Sequence, residues 1–271
     1  MLSISNGIDT VMNRLNRWRL PALLLILATM ATPLTAEPKK IGLALSGGGA
    51  RGLAHIGVLR ALEANDIAID YIAGTSMGSV IGGLYAAGFS VDKIEQVVSE
   101  VDWTEVFSDT SPRKFRSQRQ KEMEQNQLIN YRLGFNGGDI QIPLGVLQGQ
   151  RLNQFLTRLA LPVLDVENFA ELPIPFQAVA TDLVSGAPVT LDRGSLVEAM
   201  RASMSVPGVF SPVEHGEMLL VDGGMSNNLP VSTVRDMGAD IVIAVDVSMP
   251  MYPRELLDSV LRVTEQITTL M

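Results

Sequence analysis

A serine between two glycines is the feature of this sequence best suited to nucleophilic chemistry. It lies in Gly74-Thr75-Ser76-Met77-Gly78, between an apolar run and a helical pattern, and therefore at a predicted strand-to-helix turn. Such a turn can hold a serine in a strained backbone conformation that exposes its hydroxyl. The N-terminus of the next helix directs the positive end of its dipole to the same place. The alternative is a serine that only caps the helix.

A glycine-rich loop nearer the N-terminus offers backbone donors to an anion. Gly47, Gly48 and Gly49 follow a predicted strand and precede a predicted helix. Their amides would suit the oxyanion of a tetrahedral intermediate in acyl transfer. Arg51 would steady this loop or a substrate phosphate, or else form a surface ion pair.

The same loop also fits a dinucleotide-binding pattern. Gly47, Gly49 and Gly52 match G-x-G-x-x-G, and Asp70 follows about twenty residues later, where a ribose-binding acid would stand. A single pattern of this kind has low specificity, and the second predicted strand runs into another glycine turn. Nucleotide-dependent redox chemistry is therefore an alternative to acyl transfer.

The amino-acid counts restrict the base that would activate Ser76. The chain has 271 residues, no cysteine and two histidines, which excludes a thiol nucleophile, a disulfide and a thiolate metal site. His55 shares a helix face with leucines, as a packed residue would, and His215 lies in a polar turn. Asp222 ends a predicted strand before two glycines, where a partly desolvated carboxylate would take a serine proton directly. The alternative is that Asp222 is an ordinary turn residue at the end of the strand.

The elements around these residues follow an α/β pattern. Short apolar runs alternate with helical patterns from Lys40 onward. The predicted strands are Ile41 to Leu45, about Ile67 to Ala73, Phe176 to Thr181, Ala187 to Leu191, Met218 to Val221 and Asp240 to Val247. The last of them is an almost unbroken apolar run, which predicts a buried strand.

Residues 91–161 differ in composition from the rest of the chain and predict a cap-like insertion. They are more polar, with a predicted hairpin around Asn136-Gly137-Gly138 and a helix after Gly149. Aromatic residues here would line an acyl pocket or belong to an ordinary core: Trp103, Phe107 and Phe115. Basic residues here would contact anionic headgroups or form a solvated helix face: Arg113, Lys114, Arg116, Arg119 and Lys121.

The two ends of the chain and its charge bear on location. Residues 1–36 predict a signal peptide, because arginines precede an apolar run from Leu20 to about Ala31 and small residues precede Glu37. An uncleaved signal anchor is the alternative. We therefore expect export to the periplasm, the outer membrane or the exterior, and a domain over residues 40–271.

The net charge of −8 argues against a nucleic-acid partner. Arg254 to Met271 predicts a helix that would continue in a longer parent, since no capping residue ends it.

Four motifs in order resemble those of bacterial patatin-like phospholipases. They are Ser46-Gly-Gly-Gly-Ala-Arg-Gly52, Gly74-Thr-Ser-Met-Gly78, Arg201-Ala-Ser-Met-Ser-Val-Pro-Gly208 and Asp222-Gly-Gly-Met-Ser-Asn-Asn-Leu-Pro230. Ala180-Thr-Asp-Leu-Val-Ser-Gly186 is similar to a further stretch of these proteins. The resemblance covers about Lys40 to Ser248, and four ordered motifs are far more specific than any one of them.

The resemblance implies a fold, an activity and a set of site residues. The fold would be a three-layer α/β/α patatin-like fold with a central, mostly parallel sheet, shared with the catalytic domains of cytosolic phospholipase A2. Ser76 would be the nucleophile and Asp222 its base in a Ser-Asp dyad that hydrolyses lipid acyl esters without calcium or another cofactor. The oxyanion hole would use amides of Gly47, Gly48 and Gly49, with Arg51 beside them. The remaining motif positions are Gly52, Gly74, Gly78, Gly223 and Gly224.

The exported start resembles a subgroup in which the patatin domain precedes an outer-membrane module. The expected partners are a phospholipid or other acyl-ester substrate, the membrane surface that supplies it, and a translocation module if the chain is a fragment. Two further alternatives are a lipase with a histidine base and a lipid-binding module without catalytic activity.

Overall fold

The computed structural model describes residues 38–106, 134–136, 139–141, 145–248, 250–258, 262–263 and 266. The predicted signal peptide, Phe107, Phe115 and the basic cluster at 113–121 lie outside the described residues. So does most of the predicted C-terminal helix, of which residues 262, 263 and 266 are helical.

The first part of the domain alternates strands and helices, as expected. Its elements are β1 (Ile41–Leu45), a 3-10 turn (Gly49–Leu53), α1 (Ala54–Ala64), β2 (Tyr71–Thr75), α2 (Met77–Ala86), α3 (Val91–Glu100) and α4 (Trp103–Val106). Strand β2 begins later than the pattern predicts, because Ile67 belongs to the turn that ends α1 and donates its amide to Leu62.

The described part of residues 91–161 contains the predicted hairpin and helix. Its further described elements are β3 (Gly134–Asn136), β4 (Asp139–Gln141), β5 (Gly145–Leu147) and α5 (Gln150–Ala160). Gly149 precedes α5 with a φ of +74°, a left-handed conformation that glycine adopts without strain. Trp103 packs edge-on against Phe155 of α5, with 6.0 Å between ring centroids. Trp103 is partly buried, and its role stays a prediction.

The second part of the domain returns to the α/β pattern. Its elements are β6 (Phe176–Asp182), β7 (Pro188–Leu191), α6 (Leu196–Ser203), β8 (Gly208–Phe210), β9 (Val213–His215), β10 (Met218–Asp222), α7 (Val231–Asp236) and β11 (Ile241–Val245). β5 and β8 form a separate two-stranded parallel sheet.

The central sheet has the order β11-β1-β2-β6-β10-β9, with β7 also paired to β6. The first four strands are mutually parallel, whereas β7, β9 and β10 pair antiparallel to their neighbours. The α/β fold is therefore confirmed, and its central sheet is mixed, with four consecutive parallel strands.

Side chains of β1 alternate between two faces of the sheet, and each face is covered by helices. Leu43 and Leu45 belong to the main core, which includes residues of α1, α2, α3, α5 and α6. Ala44 packs on the opposite side, in a smaller cluster with Ala73 of β2 and Val234 of α7. This alternation produces the three layers that the resemblance implied.

Strand β11 is less buried than predicted. It lies at the edge of the sheet and pairs with β1 alone among the described strands. Ile241 at its start is 43 % exposed. The apolar run therefore does not mark a central strand here, because an edge strand has one neighbour instead of two.

The register of β6 shows how two strands share one of its edges. Ala178 and Val179 pair both with β2 and with β7, so these two strands lie on opposite edges of β6. Ala180 and Thr181 pair both with β10 and with β7, so β10 lies on the same edge as β2. Because β2 is parallel to β6 and β10 is antiparallel, the two strands run toward each other and their final residues meet.

Among the described residues, no helix combines the length and the apolar character needed to cross a membrane.

Candidate active site

The backbone of Ser76 has the strained conformation expected of a serine at a glycine elbow, and the residue is largely buried, with 9 % of its surface exposed. Its φ is +51° and its ψ is −122°, and Asp66 is the other described residue besides glycine with a positive φ. The sharp turn brings α2 against the end of β1, where a Cβ on Gly78 would stand 2.6 Å from the Ser46 carbonyl oxygen. Gly78 therefore permits the close approach that the turn needs.

The Ser76 hydroxyl donates a hydrogen bond of 2.7 Å to Oδ2 of Asp222. The meeting of β2 and β10 produces this contact, because Thr75 pairs opposite Val179 and Asp222 pairs opposite the next residue, Ala180. Ser76 stands at the N-cap of α2 without a capping hydrogen bond from its side chain. The helix-capping alternative is therefore wrong for Ser76.

Asp222 is almost completely buried, with 2 % of its surface exposed. Its Oδ1 accepts a hydrogen bond of 2.7 Å from the Gly224 amide. Burial raises the pKa of Asp222 to about 6, against the hydrogen bonds from Ser76 and Gly224, which lower it. A carboxylate in this state is ionised at neutral pH and is a stronger proton acceptor than an exposed aspartate.

Ser203 holds the backbone of Ser76. Its hydroxyl accepts a 2.9 Å hydrogen bond from the Ser76 amide and donates to the Val179 carbonyl at 2.5 Å. Ser203 lies within the third family motif, but the motif alone indicates no role for it. Its function depends on the contact between α6 and β6, which spacing along the chain does not reveal.

In the glycine loop, one backbone amide is hydrogen-bonded within the protein and two are not. The Gly47 amide donates to the Asn228 carbonyl at 3.1 Å, so it is not available to a substrate in this conformation. Across the described part of the chain, the amides of Gly48 and Gly49 have no protein acceptor. Gly49 has a φ of +55°, which glycine tolerates and a larger residue would not.

Asn228 bridges the glycine loop and the turn that carries Asp222. Its Oδ1 would stand 2.6 Å from a Cβ on Gly47 and 3.1 Å from a Cβ on Gly224. The neighbouring Asn227 carbonyl accepts a 2.9 Å hydrogen bond from the Thr75 hydroxyl. Neither asparagine was predicted as a site residue, although both lie within the fourth family motif.

Arg51 connects the glycine loop to the segment after β11. Its Nε donates to the Val247 carbonyl at 3.3 Å, and a terminal nitrogen donates to the Tyr252 hydroxyl at 3.2 Å. Arg51 thus contacts a segment distant in sequence, and its role at the site stays a prediction.

Comparison with known proteins identifies the family of this chain. Residues 43–235 match the model of a family described as patatin-like phospholipase. The chain belongs to the patatin-like phospholipase family. The matched range contains Ser76, Asp222 and the whole glycine loop.

Curated relatives of this patatin-like chain are longer than it is. An uncharacterized NTE family protein of Mycobacterium bovis is 35 % identical over 210 residues, which are 77 % of this chain and 49 % of that protein. Patatin-like phospholipase domain-containing protein 6 of Mus musculus is 34 % identical over 211 residues, which are 76 % of this chain and 13 % of that protein. The chain thus spans about half the length of the first relative. Membership of a bacterial, exported subgroup stays a prediction.

The comparison with solved structures finds VipD from Legionella pneumophila. The alignment has a TM-score of 0.45 and 17 % identity, and it covers 71 % of this chain and 47 % of VipD.

Neither histidine of this patatin-like chain is hydrogen-bonded to Ser76. His55 is fully buried, and its Nε2 lies 2.8 Å from the Ser46 carbonyl oxygen. His215 lies on β9, and its Nδ1 is 3.5 Å from a carboxylate oxygen of Glu198. The alternative of a histidine base therefore has no support in the geometry.

The position of Asp70 excludes the dinucleotide-binding interpretation. In that interpretation the acid follows the second strand, at the same sheet end as the glycine loop. Asp70 instead precedes β2 and accepts a 2.7 Å hydrogen bond from the amide of Ile41, at the start of β1. Within the described ranges, no group of three or more acidic or histidine side chains is placed to hold a metal ion.

Proposed function

We propose that this chain is a serine lipid acyl hydrolase, a phospholipase A or esterase that acts in lipid degradation through a Ser-Asp dyad. The observation that carries the proposal is the 2.7 Å hydrogen bond from a strained serine to a buried carboxylate. The family supports the chemistry, because its description names phospholipases.

In the first step, Oγ of Ser76 attacks the ester carbonyl carbon while its proton passes to Oδ2 of Asp222. The negative charge that develops on the carbonyl oxygen is stabilised by the amides of Gly48 and Gly49 and by the N-terminus of α2. Collapse of this intermediate breaks the ester C–O bond, and the proton on Asp222 passes to the departing alcohol oxygen. Ser76 then carries the acyl group.

In the second step, water completes the reaction. Asp222 takes a proton from a water molecule while the water oxygen attacks the acyl carbon of the acyl-enzyme. The amides of Gly48 and Gly49 stabilise the second oxyanion. The proton returns to Oγ of Ser76 as the acyl–serine bond breaks, and a fatty acid leaves. The pKa of about 6 suits Asp222 to both transfers, because the carboxylate accepts a proton readily and releases it again near neutral pH.

The biological setting follows from the sequence and is part of the proposal. The N-terminal signal peptide would export the chain, and a membrane surface would supply a phospholipid or another acyl ester. An outer-membrane translocation module would be a further partner if the chain is a fragment.

Hydrolysis of a short-chain ester tests the proposal. Ser76→Ala should abolish turnover, and Asp222→Asn should lower kcat by about a thousandfold or more, because the base is lost. Ser90→Ala is the matched control, since Ser90 caps α3 by accepting the Lys93 amide at 3.3 Å. It should retain full activity. Wild-type turnover in Ser76→Ala, or loss of turnover in His215→Ala with Asp222→Asn active, would contradict the proposal.

A further inference from the structure

His55 is a buried polar residue that the proposed mechanism does not use. It lies on α1 with no exposed surface, beside the start of the glycine loop. Its Nε2 is 2.8 Å from the Ser46 carbonyl oxygen. A carbonyl oxygen only accepts, so Nε2 carries the hydrogen and donates it.

The chemical state of the ring follows from this contact and from burial. Burial lowers the pKa of His55, because the charged imidazolium would be desolvated. Nδ1 is then the unprotonated nitrogen, and among the described residues it has no hydrogen-bond partner. The imidazole is therefore a neutral donor with one fixed tautomer.

Ser46 is held from several directions at the end of β1. Its amide donates to the Val245 carbonyl at 3.0 Å, and its hydroxyl accepts from the Val247 amide at 2.9 Å. Its carbonyl takes the hydrogen of His55 and lies against Gly78 of the nucleophile turn. Ser46 is thus the last fixed residue before three glycines.

The peptide unit between Ser46 and Gly47 is hydrogen-bonded at both its carbonyl and its amide, and His55 supplies the bond to the carbonyl. The Ser46 carbonyl and the Gly47 amide belong to the same planar unit. The carbonyl accepts from His55, and the amide donates to the Asn228 carbonyl at 3.1 Å. The following two amides, of Gly48 and Gly49, are the proposed oxyanion donors, and their direction depends on the plane that precedes them.

We propose that His55 is a positioning residue for the oxyanion loop: its Nε2–H fixes the Ser46–Gly47 peptide plane and so directs the amides of Gly48 and Gly49 at the reacting carbonyl. This inference rests on the proposed function. His55 has no proton-transfer role, because its hydrogen bond goes to a backbone carbonyl and Ser76 is paired with Asp222. Glycine loops have high backbone freedom, which is why a fixed anchor at their start matters.

Two substitutions at His55 separate the hydrogen bond from packing. His55→Gln keeps a donor at about the position of Nε2, whereas His55→Leu keeps an apolar side chain and removes the donor. Leu59→Ala is the control for packing, since Leu59 is equally buried on the same helix. The readouts are kcat and KM on a short-chain ester, and Tm for each variant.

His55→Leu should lower kcat about 100-fold, the range of a lost oxyanion donor, with KM within about threefold of wild type. His55→Gln should recover kcat to within about tenfold of wild type. Leu59→Ala should lower Tm by several degrees and leave kcat of the folded protein unchanged. Wild-type kcat in folded His55→Leu, or an equal loss of kcat in Leu59→Ala, would overturn the positioning role.

A nuclear magnetic resonance readout separates this inference from the proposed function. The chain has two histidines, so ring nitrogen signals are assigned by their loss in His215→Gln. His55 should show the neutral Nε2–H tautomer in the full chain. A different tautomer would overturn the inference even if the enzyme is active. A wild type that neither turns over the ester nor reacts with a fluorophosphonate would overturn the proposed function, and this inference with it.

Discussion

At the scale of single residues, the account depends on one carboxylate. Asp222 is buried where a charge is costly, yet two hydrogen bonds favour its ionised form. Desolvation is the largest influence, so the pKa rises to about 6. The same burial that strengthens Asp222 as a base also destabilises the folded state when the group is ionised.

The first prediction at this scale concerns the pH dependence of activity. The base must be ionised before it accepts the serine proton, so kcat/KM should rise with pH through about 6 and then level off. At pH 5 we expect activity about tenfold below the plateau, because only a small fraction of Asp222 is ionised. A stopped assay with a short-chain ester from pH 4.5 to 8 measures this. A profile without a limb between about pH 5 and 7 would count against Asp222 as the base.

The second prediction concerns stability. The pKa of Asp222 is raised in the folded state, from 3.8 to about 6. The favourable contribution of Asp222 to the free energy of unfolding is therefore fully present below pH 3.8 and is lost as the pH rises through 6. Asp222→Asn removes the ionisation and should be more stable than wild type at pH 8, by about 2–3 kcal/mol. The difference should shrink toward pH 4. Urea unfolding of both proteins at each pH measures it, and a gap that does not vary with pH would argue against burial as the cause.

At the scale of elements, the site is the place where separate segments end. β2 and β10 run toward each other along one edge of β6, and the glycine loop leaves β1 beside them. The helix α2 starts at the same point and must approach the end of β1 closely. Glycine at position 78 makes that approach possible.

The third prediction tests this close approach. In Gly78→Ala the added methyl would stand 2.6 Å from the Ser46 carbonyl oxygen, a backbone atom that could make room only if the chain around it moved. We expect a loss of stability of about 1–3 kcal/mol and a loss of most activity, because both the elbow and the glycine loop must shift. Thermal unfolding and ester turnover measure the two effects.

Gly57→Ala is the matched control on α1. A Cβ at Gly57 meets no atom within 4 Å, and alanine favours a helix over glycine by about 1 kcal/mol. The control should therefore be more stable than wild type and fully active. If Gly57→Ala and Gly78→Ala changed stability and ester turnover equally, the effect would come from the loss of a glycine and not from the contact at Gly78.

At the scale of the whole molecule, the sequence predicted the α/β class and most elements, because periodicity and glycine turns are local signals. The glycine elbow and the strand-end Asp222 were also recognisable. Three features were not. The edge position of β11, the head-on meeting of β2 and β10, and the roles of Ser203, His55 and Asn228 all depend on pairing between distant segments. Composition and spacing do not specify such pairing.

The fourth prediction belongs to the molecule as a whole. The proposed mechanism uses side chains and backbone amides only, so a chelator should not change activity on a short-chain ester. Turnover with and without an excess of EDTA measures this, with added Ca²⁺ as the reverse test. A loss of activity that Ca²⁺ restores would contradict a metal-free dyad.

The most direct test of the central claim is covalent labelling of the nucleophile. A fluorophosphonate reacts with an activated serine, and intact-protein mass spectrometry followed by peptide mapping identifies the site. We predict one adduct on Ser76 of the wild type, none in Ser76→Ala, a much slower reaction in Asp222→Asn, and an unchanged reaction in Ser90→Ala. An adduct on another serine, or equally fast labelling of Asp222→Asn, would contradict the Ser76–Asp222 dyad.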